Sequence, residues 1–476
     1  MIASRWTAVA VVAAIALLVR LPCIHDSFWL DELHSAWVIR DAIGDVAVRA
    51  SQGNQSPLYF WLLWIWSAGA DAVGLSQAAG VEATWRSTSV ILSTISCGWL
   101  VVLVDRLTQN RVAATAAGLC LALDTNSIFF GTELRPYAAV MLGSIAMMEA
   151  VAQMKTAQQT RWWWMATVVL CLSSAMHVMS LMTTLPIMGL AIARYRPRLP
   201  TASVLGIMIL IGGFAWYLFS VYAETWERRE QWEAFGRFSS IGQLVSLWSW
   251  WSCWLVPMAI GYFIGQRNDA RWKCFRFVSA AVIIATAAAA IGSSAGLAPI
   301  WHRRYLIGCL PLIAMGLGIL TSIARPLDRG KRGWTALLAT AALLAMTSSQ
   351  GTLATLSRGE VRLVTRNEDW RRAIAWINRT QPGDRAVWVH PGLIEQASGG
   401  TSAHRPEYLL FAVGGPYRLA PRFSIRLFTP GDTMAETAGG PEALLLTRGQ
   451  TFPLDSSVAS SFRRWDFGRV SVFAAR

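Results

Sequence analysis

The chain of 476 residues is 54% hydrophobic and only 15% charged, with 25 tryptophans. This composition excludes an ordinary run of soluble domains, which at ~150 residues each would number two to four, and identifies a membrane protein. The formal charge of +14 does not point to a nucleic-acid partner, because the basic residues lie between apolar segments and form no dense block.

A spanning helix needs ~20 mostly apolar residues, and loops rich in Lys or Arg stay in the cytoplasm. Together these rules predict about eleven transmembrane helices. The first, over 6–24, starts after Arg5 and is read as a retained helix, since Arg20 and Pro22 make a poor signal-peptide cleavage site. It leaves the cytoplasm, so residues 25–85 form a long outer loop. Within that loop PLYFWLLWIWSAGADAVGL (57–75) has helical apolar spacing but no basic flank. Counting it as a span would invert every later loop, so it is read as a helix in the outer interface.

Helices over 86–105, 111–129 and 136–153 follow, with DRLTQNR and KTAQQTR as inside loops, and the pair over 162–176 and 178–193 ends at ARYRPR. A helix over 201–220 exits to the mixed-charge segment YAETWERREQWEAFGRF, read as interfacial, and one over 243–264 returns to QRNDARWKCFR. Helices over 275–292, 303–324 and 334–352 complete the count, with RPLDRGKRG inside. Lys155, Lys273 and Lys331, the only lysines among 42 basic residues, all fall in predicted cytoplasmic loops. Indole rings in stretches such as RWWWM (161–165) suit the headgroup level.

From about residue 353 the character changes. NEDWRRAIAWINRTQPGDRAVWVHPG predicts an amphipathic helix, a Pro-Gly-Asp turn and a short strand, and RFSIRLF, ALLLT and RVSVFAA are further strand candidates between Gly and Pro turns. The predicted architecture is a polytopic α-helical membrane domain over 1–352 followed by a small α/β domain over 353–476 on the outer side. The seven cysteines are scattered, with no CxxC or zinc spacing, and none lies after Cys309, so no disulfide framework or metal cluster is expected.

Charged side chains at membrane depth cost ~2.5–3.5 kcal/mol each on insertion scales and mark functional sites. Three places qualify, all on the predicted outer side. SFWLDELHSAW (27–37) carries Asp31 and Glu32 directly after the first helix; a solvated helix start with first-turn acids explains the pair equally well. FFGTELRPYA (129–138) carries Glu133 and Arg135 before Pro136, for which a mutual ion pair at the interface is the plain alternative, and APIWHRRYLIGCLP (298–311) carries His302, Arg303 and Arg304. Consecutive arginines on an outer face run against the positive-inside trend and suggest a bound anion, which the forked guanidinium suits. His177 and Arg20 are lesser candidates, read first as packed or snorkelling side chains. There is no phosphate-cradling glycine loop, HExxH or GxSxG.

The order FWLDELHSAW, NQSPLYFWLL, FFGTELRPYAAVML, HRRYLIGCLP resembles the integral-membrane glycosyltransferases of the GT-C class, in particular the bacterial relatives of the protein O-mannosyltransferases (glycosyltransferase family 39 type) and of the lipid A aminoarabinose transferase. The resemblance covers residues 6 to about 325. It implies a GT-C fold and a catalytic base at Asp31 with Glu32 as its acidic neighbour. It further implies that Glu133 is a second-loop acid in a segment completed by Arg135, Pro136 and Tyr137, and that Arg304 and Tyr305 bind a carrier phosphate with Arg303 and His302 beside them. Tyr59 of the NQSPLY segment, Tyr137 and His177 are expected near substrate. Gln55 and Ser56 stand where relatives often show His and Pro, and Gly131 and Thr132 replace a Tyr-Ser-Gln run.

The implied partners are the membrane, a polyprenyl-phosphate-linked sugar and a glycan, lipid or protein acceptor, with no nucleic acid. The implied place is a bacterial cytoplasmic (inner) membrane, N-terminus inside and C-terminal domain extracytoplasmic. The implied reaction is inverting transfer to an acceptor hydroxyl in the periplasm or its equivalent. The resemblance fixes no cofactor and leaves open a divalent cation such as Mg or Mn, which Glu133 with other acids would help to hold. Two other classes compete: an enzyme of the O-antigen ligase or polymerase type, and a lipid-linked sugar transporter or flippase. The second would favour inverted repeats, which the sequence lacks.

Overall fold

Ser4 accepts from the Thr7 amide at 3.1 Å and so caps the first helix, α1 (Arg5–Arg20), which opens the apolar series. The structure is a computed structural model that describes residues 4–154, 160–197, 199–227, 229–232, 236–247, 269–323, 331–381, 385–393, 406–428, 444–449 and 462–475. The chain divides into two compact units: one comprises Met1–Ile24 with Arg86–Val364, the other His25–Trp85 with Thr365–Arg476. The loop after α1 and the polar C-terminal segment thus share a unit, a grouping that chain order hides.

In the second unit, helices α2 (Leu30–Val38), α3 (Ile43–Gln52), α4 (Pro57–Ala72) and α5 (Leu75–Ala79) follow one another. Pro57 starts α4, where a missing N–H costs nothing. At 16 residues α4 is ~24 Å long, short of a ~30 Å hydrocarbon core, and Leu62 and Ile65 lie exposed on its surface.

The helical bundle of the first unit continues with α6 (Val81–Thr108), α7 (Arg111–Leu123), α8 (Thr125–Gly131), α9 (Tyr137–Gln153), α10 (Thr160–Met176), α11 (Leu181–Tyr195), α12 (Thr201–Glu227), α13 (Gly242–Leu247), α14 (Ala270–Ser294), α15 (Cys309–Ile323), α16 (Lys331–Ser349) and α17 (Thr352–Ser357). The first five residues of α6 belong to the second unit. Among the described residues five helices are long and apolar enough to cross a membrane, six if α7 and α8 form one bent span, with shorter apolar helices at Tyr137–Gln153, Cys309–Ile323 and Gly333–Ser349. The protein is a multi-pass membrane protein. Most of the span expected over 243–264 lies outside the described residues.

All fifteen residues of α15 are buried, as expected of a helix apolar all round. It packs on α7, α9 and α14. Gly318 permits the contact with α7, because a Cβ there would lie 2.6 Å from the Ala113 carbonyl.

Two expectations shift. The helix predicted over 303–324 begins at Cys309; Arg303–Leu306 is a separate 3-10 turn capped by the His302 ring, which accepts from the Arg304 amide at 3.2 Å. The helix predicted over 111–129 is bent by 62° at Asp124. Asp124 caps α8 through the Ser127 amide at 2.7 Å, which leaves the end of α7 with open carbonyls. Arg20, fully buried, donates to the Ala122 carbonyl at 3.0 Å, the Leu121 carbonyl at 3.5 Å and the Ser127 hydroxyl at 2.9 Å. The arginine of α1 is therefore a splint for a broken helix.

The second unit closes with α18 (Trp370–Thr380), the short helices α19 (Pro406–Leu409) and α20 (Phe411–Gly414), and strands β1 (Ala386–His390), β2 (Ser424–Leu427), β3 (Leu444–Arg448), β4 (Phe462–Phe467) and β5 (Val470–Ala475). The sheet order is β2-β1-β3-β5-β4; β1 runs parallel to β2 and β3, and β5 is antiparallel to β3 and β4. Register places Val387 against Leu444 and Leu445 against Phe473. Central β3 buries Leu444, Leu445 and Leu446 in succession, the pattern of a strand covered on both faces. Asp369 caps α18 through the Arg372 amide at 3.0 Å, and Trp370, Ala373, Ile374 and Ile377 give it one buried face against β4 and β5.

Candidate active site

In the second unit the two acids of SFWLDELHSAW separate by environment. Asp31 is partly exposed at the second position of α2, whereas Glu32 is wholly buried. Trp29, at the N-cap, has no oxygen with which to cap the helix, so the first amides find carboxylates instead. The Trp29 amide donates to Glu32 Oε2 at 3.3 Å, and the Leu30 amide donates to Glu368 Oε2 at 3.1 Å. Arg366 lies 3.2 Å from Glu32 Oε2, with both side chains fully buried. Glu368 also accepts from Trp370 Nε1 at 3.2 Å and Arg448 Nε at 2.7 Å.

The approach to α2 is fixed in the same way. The Phe28 amide donates to the Tyr417 hydroxyl at 2.9 Å, and that hydroxyl donates to Glu82 Oε1 at 2.6 Å. Arg371 bonds the same Glu82 oxygen at 2.9 Å and the His25 carbonyl at 3.3 Å. Burial first, then the Glu82 charge and hydrogen bond, raise the Tyr417 phenol well above its ordinary range, so it remains a donor. Tyr59 is buried on α4 with its ring 5.2 Å from Phe60, whose ring in turn lies 6.1 Å, edge on, from His34 of α2.

In the first unit the segment between α8 and α9 is held by α6. Ser89 donates to the Glu133 carbonyl at 2.6 Å and Ser93 to the Gly131 carbonyl at 3.1 Å. Glycine is needed at 131, where a Cβ would lie 2.9 Å from Ser93. Glu133 is fully buried and Arg135 nearly so. Beyond Pro136 the Tyr137 ring packs 5.4 Å from the His177 ring, and His177 lies 6.4 Å from Tyr305. Arg304 donates to the Tyr305 hydroxyl at 2.9 Å, and the His302 ring is 6.1 Å from that of Tyr305. Arg304 is half-buried and Arg303 exposed.

His177, in the turn between α10 and α11, accepts from the Met179 amide through Nδ1 at 3.1 Å, which leaves Nε2 to carry the proton of the neutral ring. Burial, and then the positive charges of Arg135 and Arg304, push its pKa down to about 3. The first unit thus gathers Tyr137, His177 and Tyr305 with Arg135 and Arg304, residues from three distant sequence segments. Forked donors, phenols and a neutral imidazole suit an anion.

Sequence reasoning missed Glu82, Arg366, Glu368 and Tyr417. For Arg366 and Glu368 the signal is the density of charge in TRNEDWRR (365–372); Glu82 and Tyr417 carry no comparable local signal. Among the described residues no three His, Cys, Asp or Glu side chains are grouped as a metal ion requires.

No protein-family model matches the chain, and no curated protein matches it in sequence. Its structure is similar to that of ArnT from Cupriavidus metallidurans in the apo state, with a TM-score of 0.55 over 98% of this chain and 96% of that one, at 11% identity. The chain therefore has the ArnT-like GT-C fold, as the sequence motifs led one to expect. A weaker likeness, TM-score 0.43 and 11% identity over 79% of this chain and 58% of the other, is to the archaeal oligosaccharyltransferase AglB from Archaeoglobus fulgidus in complex with an inhibitory peptide and a dolichol-phosphate.

Proposed function

We propose that the protein is an inverting glycosyltransferase that moves a sugar from a polyprenyl-phosphate donor to an acceptor hydroxyl on the outer face of the membrane. The observation that carries the reading is the cluster of the Tyr137, His177 and Tyr305 rings with Arg304 bonded to the Tyr305 hydroxyl and Arg135 two residues before Tyr137, a group of donors suited to a lipid-linked phosphate. The GT-C fold supports it.

On this reading Asp31, the acid of the pair that keeps solvent access, takes the proton of the acceptor hydroxyl as its oxygen bonds to the anomeric carbon. The bond from that carbon to the phosphate oxygen breaks in the same displacement, which inverts the centre, and its electron pair leaves on the phosphate. Arg304 and Arg135 stabilise the charge that develops there. Tyr137, Tyr305 and His177 Nε2 offer further donors. Glu32, already held by Arg366 and the Trp29 amide, keeps α2 in place and takes no proton. Glu133 orients the donor or acceptor.

The test is sugar transfer by the full-length protein in lipid nanodiscs supplied with a labelled polyprenyl-phosphate sugar. The wild type transfers label to a hydroxyl acceptor, and Asp31→Asn, folded and inserted, loses about 10²–10⁴-fold in rate. Wild-type transfer by Asp31→Asn would remove Asp31 as the base. Movement of the donor across a bilayer without covalent transfer would identify a transporter instead.

A further inference from the structure

Helix α2 holds only part of its own N-terminus, through Glu32 of its first turn, and depends on the C-terminal part of the chain for the rest. Trp29 lacks a capping oxygen, yet the amides of Trp29 and Leu30 both end on carboxylates, Glu32 and Glu368, and Glu32 is locked by Arg366 in a pair with no exposed side-chain surface. Asp31 sits between the two anchored positions.

The anchor is itself built for rigidity. Between Arg366 and Glu368, Asn367 adopts a left-handed φ of 54°, which asparagine tolerates. Its carbonyl accepts from the Arg469 amide at 2.7 Å, Glu368 bridges to Gly468, and the Asp369 amide donates to the Phe467 carbonyl at 3.2 Å. Gly468 makes the approach feasible, since a Cβ there would lie 2.3 Å from the Asn367 carbonyl oxygen. The β4-β5 turn thus fixes 366–369, and 366–369 fix the first turn of α2. A free-standing capped helix would need none of this.

We infer that Arg366 and Glu368 are positioning residues for the carboxylate of Asp31, acting from the C-terminal part of the chain through Glu32 and the Leu30 amide. The kinetic part of this assignment rests on the transferase reading with Asp31 as base; the structural part does not. Misplacement of a catalytic group by ~1 Å can cost about 10²-fold in rate, whereas donor binding, which needs other residues, is untouched.

The experiment takes full-length protein in nanodiscs and measures transfer kinetics with a polyprenyl-phosphate sugar alongside hydrogen exchange of the amides over 28–33. Arg366→Gln and Glu368→Gln lower kcat by about 10²-fold with donor KM unchanged, and exchange over 28–33 rises in both. Arg366→Lys, which keeps the charge without the fork, recovers part of kcat and part of the protection; where the Gln variants do not accumulate, it carries the test by showing both effects in weaker form. The assignment is overturned if kcat and exchange both stay at wild type, or if KM rises while kcat holds, which would make Arg366 a donor contact. If the wild type transfers no sugar, the transferase reading fails by itself, and the exchange data still decide whether these two residues fix α2.

Discussion

Arg135 and Arg304 gather beside a histidine held neutral, whereas Glu32, Glu82 and Glu368 each meet a guanidinium group brought from the C-terminal part of the chain. At His177 two guanidinium groups share the neighbourhood of one imidazole; in the second unit each of these three carboxylates has a guanidinium partner. Glu32 and Arg366 are both fully buried; such a pair contributes little net stability, because desolvation offsets the attraction, but breaking it at one end costs about 3–5 kcal/mol. Their effect is therefore to fix geometry. Two guanidinium groups beside one neutral imidazole instead raise the local positive potential. The two regions teach that counting charged residues says little about a site, and that what each charge faces decides its work.

The sharpest way to break this contrast is Arg304→Ala. If Arg304 meets the phosphate as charge develops on it, removal costs about 10²–10³-fold in kcat, with a raised donor KM in a titration of the lipid-linked sugar. Arg303→Ala, on the exposed neighbour, leaves both constants near wild type. Equal effects at the two positions would dissolve the distinction and return the reading to a diffuse basic surface. A smaller effect comes from the matched region. Tyr417→Phe deletes the donor to Glu82 and the acceptor of the Phe28 amide, and leaving buried polar groups unmade costs about 1–3 kcal/mol. Thermal unfolding of the solubilised protein would register this as a lowered midpoint; an unchanged midpoint would mean that Arg371 alone holds Glu82.

Much of the bundle was legible because lipid demands long apolar helices, and the α/β character of the C-terminal segment was legible from its amphipathic helix and its strands β1, β2, β3 and β5. β4 was not. In FRRWDF the apolar residues fall at Phe462, Trp465 and Phe467, which breaks the two-residue alternation, and an edge strand carries polar residues that a buried one would not. The start of α15 was displaced because hydropathy cannot see that the His302 side chain closes a turn of its own. At the site, the residues of the cationic group were each legible as charges out of place. The partners of Glu32 and Glu368 were not, since nothing local in sequence joins Leu30 to Glu368, 338 positions away. Pairing across such a distance is a property of the folded unit, and no local pattern in the sequence announces it.

The finest test of the contrast lies in acid stability. In an unfolded chain His177 would titrate near 6.5, but in the fold burial and the charges of Arg135 and Arg304 push its pKa down to about 3. A depressed pKa means that the unfolded state takes up the proton first, so stability is fully present above about pH 6.5 and is lost as pH falls toward 3. His177→Gln removes this titration, so the fall of the unfolding midpoint between pH 6.5 and 4 becomes shallower than in the wild type, while the midpoint at pH 8 reports the packing change alone. Arg304→Ala in an otherwise native chain has a weaker effect of the same sign, because one of the two positive charges is gone and burial, the larger cause, remains. An acid slope unmoved by His177→Gln would show that the imidazole titrates freely, and with it that the two arginines do not converge there.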